Sequence, residues 1–540
     1  MAYDRTSEQF PDEPLLDIGE LSEINDLRAQ VPYLEPYLRP DEMVVRIRSV
    51  EKHTRTQHPS SIRSLLRLAG VSRTDEIGDA GPVNAAMAFP ENQTEPALSK
   101  FESEFGRDGI VVAMLLKNRY PKLMRATLLR FAELQGVDFD RLTGEEPGGI
   151  FHDNHDPNDP VARKFHSLLG WQFPFYATVD ATPLFINELC DYAQRDPRFL
   201  EQNYTTKNDK IRVMGDALHA SVDWLTHRLD QDPDGLLSYR NVIARGMENQ
   251  TWKDSFHAYF HKDGSYANHN AGIASVEAQG YAYDAFVNAA PIYRHHFKDP
   301  KTAAQLEDYA KNLREKVLND FWVRNERIPF GYDFFALGAD RDENGKLRPM
   351  QVRASNMGHL LNSKILDGDD AFVKLKRESV IRNLFSPGML AVSGIRTVAC
   401  DEKRFNPYSY HNGGVWPHDN ALIAAGLERH GFFGLAHELY TRICLSSEAT
   451  KCFPEVLQGG DEPEPALSNK CVYVWDESRN MVYLMDRVPQ EIQAWVVAAV
   501  LVAKSKNPIP GPRRISQAMP READGRQKRL SELHILPDLA

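Results

Sequence analysis

VEAQGYAYDAFVNAAPIYRHHFKDPKTAAQLEDYAKNLREKVLNDFW, residues 276–322, is the stretch on which the fold turns. Its apolar residues recur at i, i+3, i+4 and i+7, the period of an amphipathic helix. Two helical stretches follow one another, 276–297 and 302–322, across a short polar break. The same pattern recurs on both sides. IVVAMLLKNRY (110–120) is followed by PKLMRATLLRFAELQG (121–136), and TPLFINELCDYAQR (182–195) by IRVMGDALHASVDWLTHRLD (211–230). NMGHLLNSKIL (356–366) precedes DDAFVKLKRESVIRNLF (369–385), and NALIAAGLERHG (420–431) precedes FFGLAHELYTRICLS (432–446). With SSIRSLLRLAG (60–70) and PQEIQAWVVAAVLVAK (489–504) there are about twelve helices, arranged in consecutive pairs. Few segments alternate with period two, so no large sheet is expected.

Each pair is followed by a loop rich in Gly, Pro, Asn, Trp and charged residues. Helical hairpins with long loops at one end predict an all-α fold, an (α/α)6 barrel of six helical hairpins. Inner helices would bury both faces, outer ones a single face, and the loops would gather at one mouth. An α-solenoid would instead repeat every ~34–47 residues, and no such repeat occurs. Residues 56–506 are assigned to the barrel, 1–55 to an N-terminal arm and 507–540 to an irregular tail rich in Pro and Arg.

Composition narrows the function. The 540 residues carry a formal net charge of −12, an unsuitable balance for nucleic acid or an anionic membrane. No run approaches the ~18–20 apolar residues of a membrane span, and the first residues lack the basic and apolar regions of a signal peptide. The five cysteines include no C-x-x-C pair, which fits free thiols in the cytoplasm and leaves no metal site. No cofactor is called for. The oligomeric state stays open.

The loops hold the chemistry. They read FGRDG (105–109), EEPGGIFHD (145–153), GWQFPFYATVDATP (170–183), ENQTWKDS (248–255), HKDGSYANHNAGIASVEAQGYAYDA (261–285), ASNMGH (354–359), GIRTVACDEKRFNPYSYHNGGVWPHDNAL (394–422) and FPEVLQGG (453–460). Aromatic rings interleave with carboxylates. Sugars are bound in this way, with rings against C–H faces and charged groups on hydroxyls.

Taken together, FGRD, EEPG, VDATPLF, NQTWKDS, VEAQGYAYDA, SNMGH, SYHNGGVWPHDNALIAAGLERHGF and PE-x-LQG resemble the amylo-α-1,6-glucosidase family. These are glycogen-debranching-type glycosidases of the six-hairpin superfamily. The resemblance runs from about residue 60 to about 505, and WPHDNALIAAGL is its most specific block. It implies an exo-acting, inverting glycoside hydrolase with a carbohydrate substrate. The TWKD segment would supply the general acid, Asp254, and the PE-x-L segment the general base, Glu455. Arg107, Asp108, Asp180, Glu277, Gln279, Asn356, Trp416, His418 and Asp419 would bind the sugar. Trp171 would be a stacking platform, and Trp252 would provide apolar surroundings for Asp254. Too few residues precede the first motif for the β-rich N-terminal domain common in that family. This points to a small glycoside or another sugar rather than a long branched glucan.

Simpler roles remain open for several of these residues. Asp254, Asp108, Asp180 and Asp419 each precede or open a helical stretch, as helix caps do. Glu455 follows a proline in a turn, and Trp171, Trp416 and His418 could be loop packing. A glycoside phosphorylase and a non-catalytic carbohydrate-binding protein are the alternatives on the same fold. An isoprenoid synthase is a third, but DDxxD is absent.

Overall fold

The computed structural model describes residues 45–49, 60–87, 101–243, 246–324, 333–460, 470–476, 481–485 and 490–506. Most of the predicted arm and the whole predicted tail lie outside them. Thirteen helices occur among the described residues. They are α1 (Ser61–Leu68), α2 (Gly106–Leu116), α3 (Pro121–Glu133), α4 (Pro160–Leu169), α5 (Ala181–Arg195), α6 (Met214–Gln231), α7 (Val276–His295), α8 (Pro300–Asp320), α9 (Asn356–His359), α10 (Ala371–Leu384), α11 (Pro417–Arg429), α12 (Phe433–Thr450) and α13 (Ala494–Lys506).

Six of them close a ring. Helix α2 packs on α5, α5 on α7, α7 on α9, α9 on α11, α11 on α13, and α13 returns to α2. The outer partners are α3, α6, α8, α10 and α12, with α1 against α13. The (α/α)6 expectation therefore holds, and the first and last helices complete one hairpin across the chain. Burial follows the ring. In α13 nearly every residue from Ala494 to Ala503 is buried. In outer α8 only the stripe Ala303, Leu306, Ala310, Leu313, Val317 and Leu318 is buried. Two expectations differ in detail. Helix α4, in the long loop before α5, lies outside the predicted helical stretches. The predicted helix at 356–366 is only the single turn α9 followed by the 3-10 turn Lys364–Leu366.

The inner helices start at the mouth. None of α2, α5, α7, α9 or α11 has a side-chain cap. Outer α8 and α10 are capped by Asp299 and Asp370. Uncapped N-termini leave backbone N–H groups and the positive end of the helix dipole facing the mouth. Asp108, Glu277 and Asp419 fall in the first turns of α2, α7 and α11.

Single backbone bridges lace the loops together around that mouth: Ala354 to Val398, Arg396 to Val415, Val415 to Leu457 and Phe453 to Ile492. Ile492 then pairs with Met87. This belt carries Asn356, Trp416 and Glu455 on neighbouring segments.

Candidate active site

The first turn of α2 is the floor of the site. Gly106 is needed there because a Cβ would lie 2.0 Å from the Phe151 carbonyl oxygen. Arg107 and Asp108 follow, each 6% exposed. Arg107 Nη1 donates to Asp180 Oδ1 at 3.1 Å, and its Nε lies 3.8 Å from Asp108 Oδ1. Burial pulls Arg107 down, but Asp180, Asp108 and Asp254 around it outweigh that and hold the guanidinium above its ordinary value. Asp180 opens α5 yet caps nothing; its carboxylate accepts from Arg107 and from Thr178 Oγ1 at 2.8 Å. Asp108 is pushed up to about 7, first by burial and then, against Arg107, by the charges of Glu455, Asp254 and Asp180. The five groups thus share one electrostatic neighbourhood.

Asp254 lies in a loop, with a side chain 31% exposed and 3.9 Å from His411 Nδ1. The short 3-10 turn after it is preceded by Ser255, so Asp254 is no helix cap. Glu455 is 4% exposed. Tyr410 donates its hydroxyl to Glu455 Oε1, and the Gln490 backbone N–H donates to Oε2 at 3.3 Å. Both oxygens therefore meet donors, which favours the ionised form.

Trp252 is the centre of an aromatic cage. It stacks on His359 at 5.8 Å and meets His411, Trp416 and His418 edge-on. His418 stacks in turn on Trp495 at 3.7 Å. Burial, with His359 and Arg107 nearby, drives His418 well down, so it is neutral. Beneath the cage, His359 Nε2 donates to Asp419 Oδ1 at 2.6 Å and Tyr281 donates to Nδ1. The hydrogen-bond pattern assigns that tautomer. Lys253, fully buried, donates to the Thr397 carbonyl at 2.7 Å. Burial lowers it, against Asp419 and Glu277. Burial likewise raises Glu277, beside the Asn356 amide, His359 and Lys253. Trp252 Nε1, Glu277 Oε2, His418 Nδ1 and Asp419 Oδ2 are buried with no hydrogen-bond partner among the described residues. Such atoms are costly unless a ligand or water meets them. No group of three or more His, Cys, Asp or Glu among the described residues could hold a metal.

Residues 181–452 match the mannosylglycerate hydrolase MGH1-like glycoside hydrolase domain. The chain belongs to this glycoside hydrolase family. Among solved structures it is similar to a GH63 mannosylglycerate hydrolase from Thermus thermophilus. In complex with Tris and D-glycerate, that enzyme is 14% identical, with 83% of this chain and 99% of that chain covered at a TM-score of 0.50. In complex with glucose, it is 15% identical, with 82% and 98% covered and a TM-score of 0.50. At such identity the likeness concerns the fold alone. No curated protein sequence matches the chain. The motif resemblance and the family match agree on a glycosidase of the six-hairpin superfamily. The match is to the mannosylglycerate hydrolase branch rather than to the amylo-glucosidase one.

In this glycoside hydrolase, Arg107, Asp108, Asp180, Trp252, Asp254, Glu277, Asn356, Trp416, His418, Asp419 and Glu455 line or underlie the same mouth. Two of the expected sugar contacts are engaged elsewhere. Trp171 is stacked on Phe165 at 5.5 Å and on Phe175 at 4.2 Å, so side chains cover its faces. The Gln279 amide accepts from Leu237 N at 2.9 Å and donates to Leu237 O and Ser275 O, which spends it on clamping a loop to α7. Tyr410, His411, His359, Lys253 and Gln490 were not singled out by sequence reasoning. The first two lie in SYHNGG beside WPHD, and their interleaving with Trp416 was the available signal.

Among the described residues, no helix is long and apolar enough to cross a membrane. Cys190 and Cys444 are buried free thiols.

Proposed function

We propose that this glycoside hydrolase removes a terminal sugar from a small glycoside with inversion of the anomeric centre. Asp254 is the general acid and Glu455 the general base. Asp254 gives its proton to the glycosidic oxygen as the bond to the anomeric carbon breaks. Water attacks that carbon from the opposite face, and Glu455 takes the water's proton. The observation that carries this reading is the double hydrogen bonding of Glu455 by Tyr410 and Gln490. It favours a carboxylate that stays ionised and aimed, as a base must. Asp254 comes from a different loop, is partly exposed, and shares Asp108 and Arg107 as electrostatic neighbours with Glu455 or Asp180. Arg107, Asp108, Asp419, His418 and the Trp252 cage form the terminal-sugar subsite. The orphaned buried polar atoms there support hydroxyl recognition.

For the substrate, the family name and the D-glycerate and glucose bound by the Thermus relative favour an α-hexosyl unit on a small hydroxy-acid aglycone. The motif resemblance favours an α-glucoside. The test is a hydrolysis screen over mannosylglycerate, glucosylglycerate and α-1,6-linked glucosides, with the first-formed anomer followed by NMR. Inversion is expected, independent of inorganic phosphate; a retained anomer or a phosphate requirement sinks the mechanism. Asp254→Asn and Glu455→Gln should each lower kcat by about 10²–10⁴-fold with unchanged circular dichroism. Full turnover in either variant removes that residue from the mechanism.

A further inference from the structure

Away from the carboxylates, a cavity of about 420 Å3 opens between the segment 144–150 and the C-terminal end of α6 with the turn that follows it. None of Arg107, Asp108, Asp254 or Glu455 lines it. Its volume falls within the ~300–1,000 Å3 of small-molecule sites. Tyr176 and Trp224 add a little aromatic surface, at 5% and 6% exposure, and the amides of Gln231 and Gln250 add donors and acceptors, with Gln231 Nε2 also meeting His227 Nε2 at 2.8 Å.

The charges of the wall largely cancel. Arg228 pairs with Glu146 at 3.0 Å and donates to the Ser238 carbonyl at 2.7 Å. Glu146 also accepts from Trp224 Nε1 at 2.6 Å. Arg341 pairs with Asp232 at 2.6 Å and with Asp234 at 2.8 Å. These contacts hold the wall in shape before any ligand arrives. Arg240, exposed at the rim, has no hydrogen bond or ion pair among the described residues. Among those residues it is the guanidinium of the wall left to meet an anion.

We infer that this cavity is a second ligand site, for a hydroxylated small molecule with one anionic group, a sugar acid or a sugar phosphate. Aromatic rings and amides suit the ring carbons and hydroxyls, and a guanidinium suits a carboxylate or phosphate. The site backs onto the catalytic mouth. Gln250, in its wall, is four residues before Asp254, and its carbonyl accepts from Val179 N next to Asp180. The inference does not depend on the roles given to Asp254 and Glu455.

The test is calorimetric titration of the full chain with glucuronate, glucose 6-phosphate, glucose and inorganic phosphate. At least one of the two anionic sugars should bind more tightly than glucose and than phosphate, and which one binds tells the sugar acid from the sugar phosphate. Arg240→Ala should weaken that binding about tenfold, the worth of one charge-assisted hydrogen bond. Gln231→Ala should weaken it less. Hydrolysis by Arg240→Ala should be unchanged, and Asp108→Asn, in the proposed terminal-sugar subsite, should keep the binding, which separates this site from the catalytic one. The inference is overturned if neither anionic sugar binds, if Arg240→Ala leaves the affinity intact, or if phosphate alone binds as tightly.

Discussion

Tyr410 and Glu455 show how much one contact between two side chains can set. A carboxylate that accepts from a phenol and a backbone N–H is favoured in its charged form, so removing the phenol should raise the pKa of Glu455, the proposed base. Tyr410→Phe is predicted to lower kcat about tenfold, leave KM nearly unchanged, and move the acidic limb of the kcat profile to higher pH. A profile that keeps its shape would mean that Tyr410 only packs. Glu455 stands out in the chain because PE-x-LQG resembles the segment that carries the general base in the amylo-α-1,6-glucosidase family. Tyr410 does not, because its partner lies 45 residues away and nothing local distinguishes it from Tyr408. Trp171 differs in the opposite direction. Its composition context marks it as a platform, and only the structure shows it stacked on Phe165 and Phe175.

Among the elements, the inner helix N-termini carry the logic of the site. An uncapped N-terminus tolerates a carboxylate in its first turn, and Asp108, Glu277 and Asp419 occupy those positions. Acidic residues at helix starts could be read in sequence, but capping and ligand binding look alike there. The structure separates them by showing where the carboxylate points: Asp180 to Arg107, Asp419 to His359. Gln279 tests the same distinction. Gln279→Leu strands the Leu237 N–H and carbonyl and should cost ~1–3 kcal/mol, read as a lower Tm or denaturant midpoint. Activity per folded molecule should survive. A normal Tm with a large rise in KM would return Gln279 to the sugar.

Across the molecule as a whole, burial of acids sets a pH signature. Asp108 and Asp284 are both pushed up to about 7, chiefly by burial, from an unfolded value of 3.8. Between those limits the folded chain holds protons that the unfolded chain has lost, so their contribution to stability falls as pH rises through that window. Buried histidines act in the opposite sense; His430, lowered to about 4 by burial, adds stability as pH rises towards its unfolded 6.5. A difference measurement isolates the acid. Asp284→Asn should gain stability relative to the parent as pH rises from about 4 to about 7, and a pH-independent difference in Tm would contradict the assignment. Asp284 accepts from Ser363 Oγ at 3.0 Å and Lys364 N at 2.8 Å, about two turns along α7 from Glu277, so activity need not follow.

Paired helices with chemically loaded loops were written in the amino-acid order alone. Helical period and loop composition are local properties, carried by residues a few positions apart. Glycosidase motifs in those loops pointed to the reaction class and to two carboxylates. Folding in three dimensions was needed to show that α13 and α1 close the barrel, that Trp171 and Gln279 are committed to packing and clamping, and that Tyr410 holds Glu455. It also revealed the second cavity. Each of these depends on which groups meet across tens or hundreds of residues, and a polar side chain takes its role from the partner it meets.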